Sequence, residues 1–375
     1  MSNLGNAQQL QRATSQLPVD VYFDQALLAR EKERLFQQGP AYVGHAHMVP
    51  NVGDFHTLAG EAEGRVLVRN SVSNSDHPES GIELLSNVCR HRQAIMLNGK
   101  GNTSNIVCPL HRWTYDLGGK LLGAPHFDDN PCLNLGKTPL QNWQGLLFEG
   151  PRDVRADLAG MGVAPDLDFT GYMLDSVKVH ECHYNWKTFI EVYLEDYHVV
   201  PFHPGLGKFV ECGDLDWQFG DWYSVQTVGI HNFLQQAGSP TYQRWHDQVK
   251  QFGRGQLPKH GAVWLTYYPN IMVEWYPWTL VISTLIPDGP EKTKNIVEFY
   301  YPEEIVLFER DFVAAQQAAY METCIEDDEI AERMDKGRKA LLARGENQVG
   351  PYQSPMEDGM QHFHEFYRRV MDFTR

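Results

Sequence analysis

Two short cysteine–histidine pairs constrain this chain more than any other feature of its sequence. They are separated by sixteen residues and read Cys89-x-His91 and Cys108-x2-His111. If the first pair lies on an extended segment, its two side chains point to the same side, because strand side chains alternate. Pro109 predicts a turn at the second pair, and the two glycines within residues 117–120 predict a hairpin directly downstream. The pattern therefore predicts one site with four metal-binding side chains.

Two thiolates and two imidazoles in matched pairs suit two kinds of metal site. A [2Fe–2S] cluster of the Rieske type takes two cysteines on one iron and two histidines on the other. A structural zinc ion takes the same four side chains around a single metal. The ligand count leaves both interpretations open, so the residues around the ligands have to distinguish them.

Residues 108–119, Cys-Pro-Leu-His-Arg-Trp-Thr-Tyr-Asp-Leu-Gly-Gly, closely resemble the second Rieske box of the ring-hydroxylating oxygenase family. Respiratory Rieske proteins have an extra cysteine in each box, whereas this chain has Ala94 and Leu110 at those positions. Three other positions depart from the usual proline and glycines of the family: Arg90, Gln93 and Arg112. The resemblance implies a [2Fe–2S] cluster toward the low end of the Rieske potential range, near roughly −150 mV. Its ligands would be Cys89, His91, Cys108 and His111.

A second group of histidines and carboxylates lies further along the chain. Three of its members recur at i, i+4 and i+7 and would share one helical face: Glu191, Glu195 and His198. Pro201 cannot continue that helix, so a turn there is expected to bring His203 beside His198. Two histidines and one carboxylate form the usual site of mononuclear non-haem iron(II), which leaves positions open for O₂. Taken alone, a histidine pair that closes a helix is the simpler interpretation, and the Rieske box upstream favours iron.

The third iron ligand has to come from elsewhere, and the acidic segment 322–337 is the candidate. As a charge run it would ordinarily form a solvated helix face. This segment resembles the family segment whose aspartate is the third ligand of the iron triad. The resemblance rests on a Glu-Asp pair that is followed ten residues later by a glycine, here Gly337, and then by Leu-Leu-Ala-Arg-Gly. The resemblance implies Asp327 as the ligand, with Asp328 and Glu326 as alternatives one position away.

Both metal motifs occur in the order that the family uses, and the resemblance runs from about residue 22 to the C-terminus. The chain is identified as a member of the Rieske non-haem iron oxygenases, similar to the homomeric branch with glycine-betaine, choline, stachydrine and carnitine oxygenases. The resemblance implies an α+β fold: an all-β Rieske domain and a helix-grip catalytic domain, in which a curved antiparallel sheet surrounds a helix. It also implies that Glu195 is catalytic and bridges to the cluster of a neighbouring subunit, most simply in a head-to-tail homotrimer.

The chain divides into three predicted regions. Residues 1–40 form a polar arm and a helix, N-capped by Asp24, that packs on the catalytic domain. Residues 41–150 have the short β-like segments of the Rieske domain, and residues 151–375 form the catalytic iron domain. Five histidines without partner spacing are predicted to be structural or surface residues: His45, His47, His56, His77 and His126.

Charge and composition exclude several classes of partner. There are 32 basic and 48 acidic residues, so the formal net charge is −16, which disfavours nucleic acids and anionic membranes. No apolar run approaches the roughly 18 residues of a membrane span, and the first residues lack the pattern of a signal peptide. Six scattered cysteines indicate a reducing, cytoplasmic location.

These features predict an O₂-dependent mono- or dioxygenase that hydroxylates or demethylates a small organic molecule. A separate NAD(P)H-dependent flavin and iron–sulfur reductase would supply its electrons. A Rieske electron carrier needs only roughly 110 residues and leaves the second site unexplained. A zinc-stabilised binding module is the other rival, and it would be colourless.

The substrate prediction rests on segment 264–278, which has six aromatic rings in fifteen residues. Strands favour aromatic residues as core, so this composition alone has a simple structural explanation. Alternation nevertheless predicts four side chains on one face: Met272, Glu274, Tyr276 and Trp278. A carboxylate among aromatic rings suits an N-methylated or quaternary ammonium group. Aromatic ring hydroxylation is the alternative, because the larger branch of the family carries it out.

Overall fold

A computed structural model of the protein describes residues 15–71 and 81–372. Its contacts group these residues into two units: residues 40–156, and residues 15–39 together with 157–372. The sequence predicts boundaries at 40/41 and 150/151, and the contact boundaries lie at 39/40 and 156/157. Most of the predicted polar arm, and His77, lie outside the described residues.

The unit formed by residues 40–156 is built from short strands. They are β1 (Ala41–His45), β2 (Asp54–Thr57), β3 (Arg65–Arg69), β4 (Ile82–Ser86), β5 (Lys100–Asn102), β6 (Ile106–Val107), β7 (Thr114–Tyr115), β8 (Leu121–Gly123), β9 (Lys137–Thr138), β10 (Gln141–Trp143) and β11 (Leu146–Glu149). They pair in three antiparallel sheets, ordered β5-β2-β3-β4-β9, β1-β11-β10 and β6-β7-β8. The short β-like segments predicted within residues 41–150 are therefore present as strands.

The core of this unit includes the two cysteines that are predicted to be cluster ligands. Val66 and Leu85, on neighbouring strands, pack in one cluster with Tyr115, Cys89 and Cys108. Both thiols are therefore screened from water by apolar side chains. Among the predicted structural histidines, His45 is buried and its Nδ1 accepts a hydrogen bond from the His47 backbone N–H at 3.1 Å.

The second unit is organised by one seven-stranded antiparallel sheet. Its strands are β12 (Tyr172–Cys182), β13 (Val210–Phe219), β14 (Tyr223–Ile230), β15 (Ala262–Tyr267), β16 (Ile271–Tyr276), β17 (Thr279–Pro287) and β18 (Thr293–Pro302). They pair in the order β12-β18-β17-β16-β15-β14-β13, so β13 to β18 form a continuous meander. Every residue of β15 is buried, and so are most residues of β16 and β17, which explains their largely apolar sequences.

Helices complete the second unit, while one short helix, α2 (Val154–Leu158), crosses the contact boundary. The others are α1 (Gln25–Glu31), α3 (Trp186–Tyr193), α4 (Val199–Phe202), α5 (Pro240–Phe252), α6 (Glu303–Phe308), α7 (Arg310–Ala343) and α8 (Asp358–Met371). The predicted α+β class is confirmed, and the helix-rich C-terminal region is α6 to α8. None of the described helices is both long and apolar enough to span a membrane.

The N-terminal helix α1 is joined to α3 by buried polar contacts. Asp24 caps α1 as predicted, since its side chain accepts the Ala26 N–H at 2.7 Å. At the other end, the buried Glu31 carboxylate accepts hydrogen bonds from Lys187 Nζ at 2.7 Å and from Trp186 Nε1 at 2.9 Å. These bonds fix α1 against the helix that leads into the histidine pair.

Candidate active site

The four predicted cluster ligands lie on two loops of equal length. Antiparallel bridges close the loops at Val88–Ile95 and Val107–Thr114, so each loop contains six residues and starts with a cysteine. The Cys89 N–H donates to the Ala94 carbonyl at 2.9 Å, and the Cys108 N–H donates to the Trp113 carbonyl at 2.8 Å. The same backbone closure therefore presents each cysteine–histidine pair.

The fifth residue of each loop has a left-handed backbone. Gln93 has φ 54° and Arg112 has φ 61°, and each donates its N–H back to the cysteine carbonyl at the start of its loop. Glycine adopts this conformation without strain, which gives a physical reason for the family's glycines at these positions. The extended segment considered for Cys89 and His91 is wrong, because both lie on this tight turn.

The thiols and imidazoles of the predicted cluster site face different environments. Both thiols are buried, whereas the His111 side chain is exposed and the His91 ring is partly covered by Trp113, at a centroid distance of 5.0 Å. The two imidazole rings lie 4.7 Å apart, and His91 Nδ1 is buried without a hydrogen-bond partner among the described residues. The site therefore combines an unpartnered imidazole nitrogen, a second imidazole and two buried thiols, and this set of side chains fits a two-iron cluster.

The second predicted site brings together His198, His203 and Asp327. One ligand atom from each lies within 4.8 Å of the others. Asp327 Oδ1 is 2.9 Å from His203 Nε2 and 3.4 Å from His198 Nε2, yet this buried oxygen has no partner with hydrogen-bond geometry among the described residues. The three atoms converge on a common point, as ligands of one ion do. Two imidazoles and one carboxylate fit iron(II) with open positions.

The helix that precedes this site ends earlier than the sequence predicts. The prediction places Glu191, Glu195 and His198 on one helix, but α3 stops at Tyr193 and residues 194–198 are irregular. A new short helix, α4, starts after His198 and includes Pro201, so the prediction of a turn at Pro201 is wrong. Proline is tolerated there because the first-turn N–H groups of a helix have no intrahelical partner. His198 and His203 therefore flank α4.

Glu191 does not share a face with the histidine pair. It is buried and accepts hydrogen bonds from Tyr22, Arg338 and His364. Burial alone would raise the pKa of Glu191, but the Arg338 guanidinium and His364 lower it to about 2. This residue therefore stabilises the packing of α3 against α7 and α8, away from the site.

The three neighbouring acids on α7 point in three directions, because successive helical residues are about 100° apart. Asp327 faces the two Nε2 atoms, whereas Glu326 Oε2 contacts His203 Nδ1 at 2.7 Å. Asp328 accepts from the Tyr184 hydroxyl at 2.7 Å and contacts His180 Nε2 at 2.8 Å. Of the three, only Asp327 is placed to complete the triad.

A carboxylate supports each imidazole of the triad from its far side. Glu195 Oε1 lies 2.5 Å from His198 Nδ1, and Glu326 has the matching position on His203. Such partners fix a ring and leave its Nε2 available as a ligand. Burial alone would lower the pKa of His198, but the carboxylates of Asp327 and Glu195 raise it to about 10. The site therefore strongly favours positive charge.

A cavity of about 90 Å³ adjoins the triad. His198, His203, Asp327 and Glu195 line it together with Glu274, and its described lining contains no lysine or arginine. Eight aromatic side chains form much of the remaining wall: Tyr184, Phe189, Tyr193, Tyr242, Trp245, Trp264, Tyr276 and Tyr320. The cavity is therefore acidic, aromatic and small.

Sequence reasoning found part of this wall and missed the rest. Glu274 and Tyr276 line the cavity as alternation predicts, but β16 ends at Tyr276 and Trp278 lies in the following turn with φ 54°. Tyr320 could have been found, since it is seven residues before Asp327 and so lies on the same helical face. No local pattern indicates Tyr193, which reaches the cavity because α3 ends there.

Comparisons with known proteins agree with this arrangement. Residues 169–372 match the ring hydroxylating alpha subunit (catalytic domain), and residues 40–140 match the Rieske [2Fe-2S] domain. The putrescine 2-hydroxylase of Ralstonia nicotianae is 72% identical, with 100% of both chains covered. A putrescine 2-hydroxylase of Bordetella bronchiseptica is 59% identical and covers 100% of this chain and 89% of its own.

More distant relatives share the fold. A choline monooxygenase of Atriplex hortensis is 27% identical over 94% of this chain and 77% of its own. The crystal structure of a quaternary ammonium Rieske monooxygenase superposes with a TM-score of 0.74 at 20% identity, covering 97% of both chains. The chain therefore belongs to the ring-hydroxylating α-subunit family: it is a Rieske non-haem iron oxygenase with a [2Fe–2S] cluster and a mononuclear iron.

Proposed function

We propose that this oxygenase hydroxylates a small aliphatic amine and that putrescine is its substrate. The observation that carries the proposal is the cavity beside the triad, where Glu274 and aromatic rings face the site and the described lining contains no lysine or arginine. Such a lining favours a cation and disfavours an anion such as an aromatic acid. The relative that is 72% identical, a putrescine 2-hydroxylase, narrows the cation to a primary diamine.

The proposed substrate, a primary amine, differs from the N-methylated or quaternary ammonium compound that the sequence predicts. Both are cations that suit aromatic walls, but the choline monooxygenase relative is only 27% identical. The reaction inserts one oxygen atom: the substrate C–H, O₂, two electrons and two protons give the C–OH product and water. A separate NAD(P)H-dependent flavin and iron–sulfur reductase is the proposed electron donor.

The proposed metal ligands are those that the two sites bring together. Cys89 and Cys108 hold one iron of the cluster, His91 and His111 hold the other, and the mononuclear iron is held by His198, His203 and Asp327. When bound, the cluster supplies single electrons and the mononuclear iron activates O₂. The protein itself contributes the carboxylates that contact the imidazoles and the aromatic walls of the cavity.

We propose Glu195 as the bridge between the two metal sites of adjacent subunits. Its carboxylate contacts His198 Nδ1, and nearby Tyr197 and Val200 are 59% and 62% exposed, which is high for large apolar residues. The cluster site has a similar rim, since Leu110 and Phe127 are 55% and 48% exposed. Two different apolar rims favour a heterologous head-to-tail contact, which closes most simply as a homotrimer. A cytoplasmic location also remains a prediction, in keeping with six free cysteines.

The test is turnover of purified enzyme with a surrogate reductase and NADH. Putrescine, choline, carnitine and benzoate are supplied in parallel, and products are identified by mass spectrometry. A hydroxylated diamine from putrescine, with little product from the others, is the expected result. Exclusive turnover of choline or carnitine would support the original prediction of a quaternary ammonium substrate. Turnover of benzoate alone would favour aromatic ring hydroxylation.

A further inference from the structure

Glu274 is a buried carboxylate without a counter-ion. It lies on β16, is 2% exposed, and lines the cavity beside the iron triad. Within residues 15–71 and 81–372, no lysine, arginine or histidine forms an ion pair with it. An isolated carboxylate in such surroundings is costly unless it is protonated or meets a cation. Nothing in the oxygen chemistry of the triad requires a carboxylate at this position.

Neutral hydroxyl groups hold this carboxylate in place. The Tyr276 hydroxyl donates to Glu274 Oε2 at 2.8 Å, and the Tyr320 hydroxyl donates to Oε1 at 3.1 Å. Trp264 Nε1 donates in turn to the Tyr276 oxygen at 3.0 Å, which fixes that ring. These donors orient the carboxylate without neutralising it, so its charge remains available to a ligand in the cavity.

A second acceptor lies in the same wall. The hydroxyl oxygen of Tyr193, the last residue of α3, is buried and has no hydrogen-bond partner among the described residues. Tyr193 lines the cavity together with Glu274 and the rings of Tyr276 and Trp264. The wall thus offers a charged acceptor, a neutral acceptor and aromatic faces.

This combination distinguishes a primary ammonium group from a quaternary one. A primary ammonium has three N–H donors and can bond to a carboxylate and a hydroxyl oxygen together. A trimethylammonium group has no donor: it can meet ring faces and the carboxylate charge, but it makes no hydrogen bond to Glu274 and leaves the Tyr193 hydroxyl oxygen without a partner. We infer that Glu274, with Tyr193 as second acceptor, binds an ammonium group of the amine and thereby selects primary amines. This inference rests on the proposed amine hydroxylation.

The chain contains a matched control on the same sheet. Glu298 of β18 is also buried, at 5% exposure, and accepts a hydrogen bond from the tyrosine two residues later, Tyr300, at 2.7 Å. The strand register pairs Glu274 with Val281, whereas Glu298 pairs with the next residue, Ile282. The two glutamates therefore point to opposite faces of the sheet, and Glu298 is not part of the described cavity lining.

The experiment measures putrescine binding to the metal-loaded, oxidised enzyme by calorimetry, with turnover measured separately. Glu274→Gln is expected to raise the dissociation constant for putrescine by roughly 10–100-fold, the range for a hydrogen bond to a charged group. Tyr193→Phe is expected to raise it by about 3–10-fold, as for a neutral hydrogen bond. Glu298→Gln should stay within about twofold of wild type, because its side chain lies on the opposite face of the sheet from the cavity. Iron content and the cluster spectrum verify that every variant is loaded.

The outcomes separate this inference from the proposed function. Unchanged putrescine affinity in loaded Glu274→Gln overturns the inference, even if the wild type forms hydroxylated putrescine. An equal loss of affinity in Glu298→Gln also overturns it, because the effect would then be structural. Selective loss in Glu274→Gln without any product from wild-type enzyme supports the ammonium site and refutes putrescine hydroxylation. Should Glu274→Gln fail to fold, the Tyr193→Phe result decides the question.

Discussion

The cluster site and the iron site both use a pair of histidines, but the chain builds them differently. The proposed cluster ligands lie within 23 residues, from Cys89 to His111, on two loops with the same backbone closure. The proposed iron ligands span 130 residues, from His198 to Asp327, and come from the ends of α4 and the middle of α7. The first site is thus encoded by local sequence and the second by tertiary packing.

The supports of the two sites differ as well. Backbone hydrogen bonds shape the cluster loops, and the His91 Nδ1 atom has no partner among the described side chains. In the iron site, Glu195 and Glu326 contact the far nitrogen of each imidazole. Substitution of these carboxylates should therefore strongly reduce iron affinity or turnover. Substitution of a loop residue in the cluster unit should change only the stability of the protein, and by a small amount.

The largest expected effect is the separate loss of each metal. His111→Ala should abolish the coloured cluster while the mononuclear site still loads iron. Asp327→Ala should lower the affinity for mononuclear iron by more than about 100-fold and abolish turnover, while the cluster spectrum persists. Visible absorption and iron content measure both. An intact cluster spectrum in His111→Ala would contradict the Rieske ligand assignment.

Glu195→Gln tests how the two sites cooperate. Both metals should stay bound, but turnover should fall by about 100-fold, because the proposed bridging carboxylate is lost. Co-expression of His111→Ala with Asp327→Ala provides the oligomer test. About a quarter of wild-type turnover is expected, since a quarter of head-to-tail contacts pair an intact cluster with an intact iron site. A fully active Glu195→Gln, or no recovery in the mixture, speaks against an electron path between subunits.

Glu326→Gln should weaken the iron site without removing a ligand. Loss of the carboxylate behind His203 is expected to lower iron affinity by about 10-fold, at the lower end of the range for such partners. Chelator competition measures the affinity. The control is Glu329→Gln on the same helix, whose side chain pairs only with the exposed Arg333 in the described contacts. Equal affinity in the two variants would show that Glu326 has no supporting role.

The cavity side of the iron site should respond to pH. Burial raises the pKa of Glu274 to about 7, so its carboxyl group takes up a proton as the pH falls through that value. Putrescine affinity should then drop by about 10-fold per pH unit below 7, because the ammonium remains charged. Glu274→Gln should remove this dependence. An identical pH profile in wild type and variant would contradict the role of Glu274.

The groups that face Glu274 should not titrate in the same range. The pKa values of the surrounding tyrosine hydroxyls are raised well above 10 by burial, and the pKa of Asp327 is lowered by the histidine pair against the effect of its burial. Ser283 does not ionise. The facing groups, by element, are Tyr276 on β16, Ser283 on β17, Tyr320 and Asp327 on α7, and Tyr193 on α3.

The smallest expected effect concerns the cluster loops. Gln93→Gly should stabilise the protein by up to about 1 kcal/mol, because the left-handed backbone at φ 54° no longer strains a side chain. Ala94→Gly, one position later, should instead destabilise it by about 0.5–1 kcal/mol. Denaturant unfolding compares the two. Destabilisation by Gln93→Gly would show that the left-handed backbone at Gln93 is not strained by its side chain.

The same contrast explains what the sequence could predict. The ligand types and spacing of the proposed cluster site are local, and the short strands of residues 41–150 agree with the β-like segments predicted for that region. The extended segment at Cys89 was not correct, because a six-residue loop brings the two side chains together through its turn. That geometry depends on a left-handed residue, Gln93, whose side chain gives no indication of it.

The iron site shows where local patterns stop. Glu191 matches the helical spacing of Glu195 and His198, but its partners Tyr22 and Arg338 come from distant parts of the chain. The irregular segment 194–198 and the position of Pro201 inside α4 likewise depend on packing. Helical periodicity can select Asp327 as the third iron ligand only when the position of α7 beside the two histidines is already known.

Isotope labelling tests the central claim most directly. Wild-type enzyme, the surrogate reductase, NADH and putrescine are incubated under ¹⁸O₂ in unlabelled water, and the product is analysed by mass spectrometry. A two-centre amine hydroxylase should give 2-hydroxyputrescine with one ¹⁸O atom in its hydroxyl group, and none from Asp327→Ala. A product oxygen derived from water, or labelled product from Asp327→Ala, would contradict the account.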